Sequence, residues 1–132
     1  MMNRRQLREQ IFKLLFRVEF NAPEDMPEQK ELFLAQTDEF DETDQEKIDS
    51  KYTRIMDKLE EIDSLINEKA KGWSTKRMGK VELTIMRLAV YEMIFDEEIP
   101  TSVAINEAVE LAKKFGQDES PAFVNGVLAK FA

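Results

Sequence analysis

Val103-Ala-Ile-Asn-Glu-Ala-Val-Glu-Leu-Ala-Lys-Lys-Phe-Gly116, followed at once by Phe123-Val-Asn-Gly-Val-Leu128, decides the fold of this chain. Pro100 forbids continuation of whatever precedes it, and a hydroxyl of Thr101 or Ser102 can cap a new helix. Val103, Ile105, Ala108, Val109, Leu111 and Ala112 then make a broad apolar face, and Gly116 reads as a left-handed stop. Ser120 as N-cap with Pro121 at the first helical position starts another helix within four residues. Asn106 and Asn125 inside these apolar runs read as buried amides satisfying backbone groups between the two helices. Gly126 costs a helix roughly 1 kcal/mol against alanine, so something is expected to approach the backbone there.

Elsewhere in the chain helical periodicity runs nearly throughout and strand alternation does not appear. The first helix is expected from about Arg4 to Phe20, with Leu7, Ile11, Leu14 and Val18 as its core stripe. Phe12, Phe16 and Phe20 form a second stripe, so one helix has two apolar faces to cover. Core burial is expected for Phe16 and Phe20, whereas Phe12 shares a sector with Arg5 and Arg8. Cations beside an aromatic suit phosphate clamping plus base stacking; a frayed, solvated terminus explains the same spacing. Asn21 to Pro27 reads as a loop, and a short helix from about Pro27 to Thr37 carries Leu32, Phe33 and Leu34. A turn near Asp38 to Asp44 leads into one long helix capped by Thr43 or Asp44. Its stripe is Ile48, Tyr52, Ile55, Leu59, Ile62 and Ile66, and Gly72 ends it. Trp73 sits at a corner and reads as a core plug. A further helix opens near Ser74-Thr75 or Met78-Gly79 and reaches Phe95, with Val81, Ile85, Leu88, Ala89 and Tyr91 inward. The expectation is an all-α single domain over residues 1–132, with six or seven helices and short connections.

Composition narrows function by exclusion. The chain has no cysteine and no histidine, which removes disulfides, the usual zinc ligands, the commonest general base and any thiol nucleophile. No catalytic carboxylate or lysine pair stands out, so neither an enzyme nor a cofactor or metal site is expected. Glu107 and Glu110 with Lys113 and Lys114 read as surface ion pairs of small value. No apolar run approaches the roughly 20 residues needed to span a bilayer, and the polar start lacks the apolar region of a signal peptide. A cytoplasmic protein without membrane association is expected. The net charge of −8 is unevenly spread. Residues 1–20 carry five positive and two negative charges, residues 21–70 six and sixteen, and residues 71–132 eight and nine. The amino end is therefore locally basic on an acidic protein and can contact phosphates with little long-range steering.

Taken with Val81-Glu-Leu-Thr-Ile-Met-Arg-Leu-Ala-Val-Tyr-Glu-Met93, these segments closely resemble the NusB family of bacterial transcription antitermination factors. The resemblance is strongest from Trp73 to the C-terminus, returns at Arg4-Arg5 to Phe20, and is weak between Ala22 and Asp44. It implies two small helical bundles packed together and a role in binding the boxA element of nascent ribosomal-RNA transcripts. Binding occurs with a small-subunit ribosomal protein that acts as NusE, within the antitermination complex of RNA polymerase. The RNA-binding residues it implies are Arg4, Arg5 and Arg8, joined by Phe12 on the same sector, and Phe115, Glu119, Ser120 and Phe123 before and within the last helix. The implied partner-binding residues are Glu82, whose acidity suits a basic ribosomal protein, and Phe16. Two departures stand out: Ala122 replaces the lysine common before Phe-Val-Asn-Gly, and Ala129 replaces the aspartate after Val-Leu. Two other readings fit the same residues. One is a substrate-guiding RNA-binding domain related to RNA 5-methylcytosine methyltransferases, and the other is a homodimeric protein-interaction module.

Overall fold

A computed structural model describes residues 1–36, 40–76 and 78–132, which divide into two compact units, Met1–Met56 and Asp57–Ala132. Among the described residues there are seven α-helices and no strand.

In the first unit, α1 spans Arg4–Phe16. Asn3 caps it reciprocally: its side-chain oxygen accepts the Gln6 N–H at 2.8 Å, and the Gln6 side chain accepts the Asn3 N–H at 2.9 Å. Of the expected core stripe, Ile11 and Leu14 are buried and Leu7 is half-buried; Leu15, outside that stripe, is buried as well. The helix stops four residues before Phe20, because the chain tightens into a 3-10 turn at Arg17–Glu19. The Arg17 guanidinium fixes that exit by lying 5.1 Å over the Phe33 ring and donating to Gln29 and Gln36 side-chain oxygens, each at 3.1 Å. Val18 is left half-buried.

A 3-10 turn at Pro23–Asp25 leads into α2, Met26–Ala35, with Pro27 in its first turn. Phe33 and Leu34 are buried and Leu32 is exposed. The expected end of this helix at Thr37 and the start of the turn at Asp38 lie outside the described residues. α3 spans Glu42–Asp57, and its cap is Asp41, earlier than either expected residue: the Asp41 carboxylate accepts the Asp44 N–H at 2.7 Å. That hydrogen bond, with the chain's amino terminus 3.6 Å away, holds the Asp41 carboxyl below its ordinary value of 3.8.

The long helix expected from Asp44 onward is two helices. α3 ends at Asp57, Lys58 leaves helical geometry (φ −109°, ψ 4°), and α4 spans Leu59–Lys69 in the second unit. Lys58 sits with its ammonium 5.4 Å over the Phe95 ring. The stripe remains buried on both sides of the break: Ile48, Tyr52 and Ile55 before it, Ile62 and Ile66 after it. No glycine or proline marks the break, so residue types could not announce it.

The second unit is organised on α5, Lys80–Ile94, which packs against α4, α6 (Thr101–Phe115) and α7 (Ser120–Leu128). Every residue from Leu83 to Glu92 is buried. A helix covered all round must satisfy its own polar groups. The Thr84 hydroxyl donates to the Lys80 carbonyl at 2.7 Å. Arg87 makes a two-pronged contact with Asp63 of α4, both prongs at 2.8 Å. On α6 the residues turned inward are Ala104, Ala108, Leu111 and Ala112, mostly small enough for close approach, whereas Val103 is exposed and Ile105 and Val109 are half-buried. Neither expected hydroxyl cap forms: Pro100 and Glu119 are the N-caps of α6 and α7, without side-chain hydrogen bonds. Asn106 and Asn125 are exposed, not buried. A Cβ added at Gly126 would meet nothing within 4 Å among the described residues, so none of them demands glycine there.

Candidate RNA and partner surfaces

In the first unit the basic start of α1 divides by burial. Arg4 and Arg5 are exposed, but Arg8 is only 8% exposed. The phenylalanine ladder runs opposite to expectation. Phe12 is 3% exposed and stacks on Phe16 at 6.0 Å; Phe16 is half-buried and meets Phe20 edge-on at 5.0 Å; Phe20 is 61% exposed. The reason is the early end of α1, which takes Phe20 off the helical wheel. A buried ring presents no face to a base, so Phe12 does not carry the expected stacking role.

In the second unit the corner between α6 and α7 carries the other implied RNA residues. Phe115 is half-buried with the Lys114 ammonium 5.6 Å from its ring, Glu119 is exposed, and Phe123 is half-buried. Gly116 closes α6 in an extended conformation (φ −95°, ψ −164°), so the left-handed stop is not formed. Glycine is needed for space instead: an added Cβ would lie 2.6 Å from both Cβ and Oγ of Ser120 and 2.8 Å from the Ala112 carbonyl oxygen. Ser120 is 3% exposed. Its hydroxyl accepts the Gln117 N–H at 2.9 Å and donates to Glu82 Oε2 at 3.3 Å.

Glu82, implied as a partner residue, is half-buried in the first turn of α5, with its carboxylate folded back against Gly79. A carboxylate there also opposes the positive end of the helix dipole. The Ser120 bond joins an implied partner residue to an implied RNA residue. A change at one therefore reaches the other.

Trp73 corrects the core-plug reading. It is 52% exposed and meets Phe123 edge-to-face at 5.6 Å, with 71° between the rings. Beside it opens a cavity of about 550 Å³ lined by Asn67, Ala70, Gly72, Trp73, Ser74, Thr75 and Lys76. Charge averaged over long blocks hides the signal that could have found it: Lys69, Lys71, Lys76, Arg77 and Lys80 flank Trp73 in sequence, with no acidic residue between 69 and 80. Among the described residues, no group of acidic side chains is placed to hold a metal ion, and no helix is long and apolar enough to cross a membrane.

Among the described residues the fold is all-helical, with exposed Arg4 and Arg5 at the start of α1 and the rings of Phe115 and Phe123 at the α6–α7 corner. The model of the NusB family matches residues 5–132. The chain is 54% identical over 131 residues to a transcription antitermination protein NusB of Agathobacter rectalis, covering 99% of this chain and 100% of that one. Its structure is similar to that of Thermotoga maritima NusB, with a TM-score of 0.87 and 36% identity over 99% of this chain and 91% of that one. It is also similar to a chain in the crystal structure of antitermination factors NusB and NusE in complex with dsRNA. That match has a TM-score of 0.79 and 28% identity, over 96% of this chain and 92% of that one. The chain belongs to the NusB family.

Proposed function

We propose that this chain is a non-enzymatic, cytoplasmic transcription antitermination factor. It binds boxA-type RNA of nascent ribosomal-RNA transcripts together with the small-subunit ribosomal protein that acts as NusE, within the polymerase antitermination complex, and works as one RNA-binding domain over residues 1–132. The observation that carries the reading is the α6–α7 corner, where the buried Ser120 hydroxyl, bonded to the Gln117 N–H and to Glu82, sits at the start of α7 between exposed Glu119 and half-buried Phe123. Arg4 and Arg5 are the phosphate contacts of this proposal, and Phe123 and Phe115 the rings offered to unstacked bases. Arg8 and Ser120 contribute by position, as buried residues that set their neighbours. Glu82 supplies the acidic side chain for the basic ribosomal partner, with Phe16 as an apolar partner contact.

The deciding experiment is a native gel shift with boxA RNA, with and without the purified ribosomal protein. The expected result is a discrete RNA complex that tightens when the partner is added, because Ala122 supplies no cation beside Phe123. Absence of a complex in both arms refutes the reading.

A further inference from the structure

We propose that Trp73 and the cavity it walls form a further nucleotide subsite, taking one unstacked base of single-stranded RNA on the indole, with Lys76 on an adjoining phosphate. The inference rests on the RNA-binding reading above and deepens it by naming a binding site outside the α1 start and the α6–α7 corner.

Exposure comes first. The indole is half exposed at a loop between two helices, where a folding role would bury it. The recess beside it, about 550 Å³ and open to solvent, leaves room for a nucleobase against the indole. Charge points the same way. The indole lies in the segment from Lys69 to Lys80, which holds five cations and no acid on a chain of net charge −8. Cationic residues interleaved with an exposed aromatic are what sequence-tolerant binding of single strands requires: charge tracks the backbone, and a ring face accepts any base.

The loop is also built rather than loose. The Trp73 backbone N–H donates to the Ala70 carbonyl at 2.8 Å, and the Thr75 backbone N–H donates to Asn67 Oδ1 at 2.7 Å. Gly72 supplies the left-handed turn (φ +83°) that carries the chain round to the indole. Asn67, whose oxygen accepts inside the loop, lines the recess with Ser74 and Thr75, and its amide N–H groups and their hydroxyls are the donor types a base edge requires.

Trp73 touches Phe123 ring to ring, so the subsite adjoins the corner proposed to present Phe123 to RNA. The Glu82 carboxylate is turned toward Gly79 and accepts from the Ser120 hydroxyl.

Trp73 is the only tryptophan, so its fluorescence reads the subsite directly in the intact protein. A single-stranded boxA-type RNA is titrated into the full chain while emission and acrylamide quenching are followed, and affinity is measured independently by gel shift. The expected result is quenched emission and reduced acrylamide access on RNA binding. Trp73→Ala should weaken RNA binding roughly 5- to 150-fold with helical content unchanged, and Trp73→Phe should recover most of it. Lys76→Ala should lower the salt slope by about 0.7, the value for one single-strand phosphate contact. RNA binding with unchanged emission, unchanged acrylamide access and full affinity in Trp73→Ala overturns the subsite and leaves the antitermination reading standing. Quenching by the ribosomal protein alone, with no further change on adding RNA, overturns it in favour of a protein contact. No RNA binding by the wild-type chain, with or without the ribosomal protein, overturns both. Should Trp73→Ala fail to fold, the wild-type emission and the salt slope of Lys76→Ala decide between the same outcomes.

Discussion

Replacing Gly116 by alanine and, separately, by asparagine tests why glycine closes α6. If the residue were a left-handed stop, asparagine would be tolerated far better than alanine, since asparagine enters that conformation readily. The backbone is extended there, and the constraint is contact. A Cβ at 116 would lie 2.6 Å from Ser120 Cβ and Oγ and 2.8 Å from the Ala112 carbonyl, where ordinary contact begins near 3.4 Å. Neither neighbour can yield freely. Ala112 O accepts the Gly116 N–H at 2.9 Å, and moving Ser120 Oγ disturbs its bonds to Gln117 and Glu82. Overpacking of this kind costs about 1–3 kcal/mol, and a weakened hydrogen bond adds about 1 kcal/mol. Both variants should therefore lose about 2–4 kcal/mol. Urea unfolding followed by Trp73 emission, which reports from the same unit, should show midpoints lowered by on the order of 1 M. RNA affinity should fall with them, because the start of α7 shifts. Gly72 is the mirror case, left-handed with nothing within 4 Å of an added Cβ, so there asparagine should cost less than alanine. Gly116→Asn within about 0.5 kcal/mol of wild type refutes the contact argument.

Replacing Arg4 and Arg5 with alanine should flatten the salt dependence of RNA binding by about 1.4 units, from roughly 0.7 per single-strand phosphate contact, and adding Arg8→Ala should change that slope little because Arg8 is buried. An unchanged slope in Arg4→Ala/Arg5→Ala removes the phosphate clamp. Phe123→Ala should weaken RNA binding roughly 5- to 150-fold while costing less than the ~3–5 kcal/mol of a fully buried phenylalanine; a large melting drop with intact RNA affinity makes the ring structural only. Glu82→Lys should weaken ribosomal-protein binding in calorimetry and also lower stability through the lost Ser120 bond, whereas Glu82→Gln should keep an acceptor for Ser120 and lose only partner affinity; partner binding unaltered in both removes Glu82 from that surface. The Asp41 carboxyl titrates below its ordinary value of 3.8 chiefly because it accepts the Asp44 N–H, so its contribution to stability is complete above the unfolded value and is lost as pH falls through the lower folded one. Asp41→Ala should melt lower at neutral pH and lose part of the acid-dependent drop seen in wild-type melting curves; superimposable pH profiles contradict that cap.

The helical class, the positions of most helices and the family were all legible in the residues, because they rest on local chemistry: 3.6-residue periodicity, prolines at 100 and 121, and ordered short segments such as Ala-Ile-Asn-Glu-Ala. Tertiary structure decided what a one-dimensional pattern cannot carry. Lys58 breaks a stripe that reads as continuous, since the apolar spacing is preserved across the break. Phe12 and Phe20 exchange expected environments, because a wheel drawn past Phe16 assumes a helix that the Arg17 contacts end. Asn106 and Asn125 face solvent although apolar neighbours flank them, since neighbours in sequence point to other faces of a helix. The hydrogen bond between Glu82 and Ser120 and the ring contact between Trp73 and Phe123 join residues far apart along the chain. Such pairs exist only once α5, α7 and the loop at Gly72 have taken their places. Residue type states what a side chain can do, and packing selects which of those capacities meets a partner and which is left at the surface.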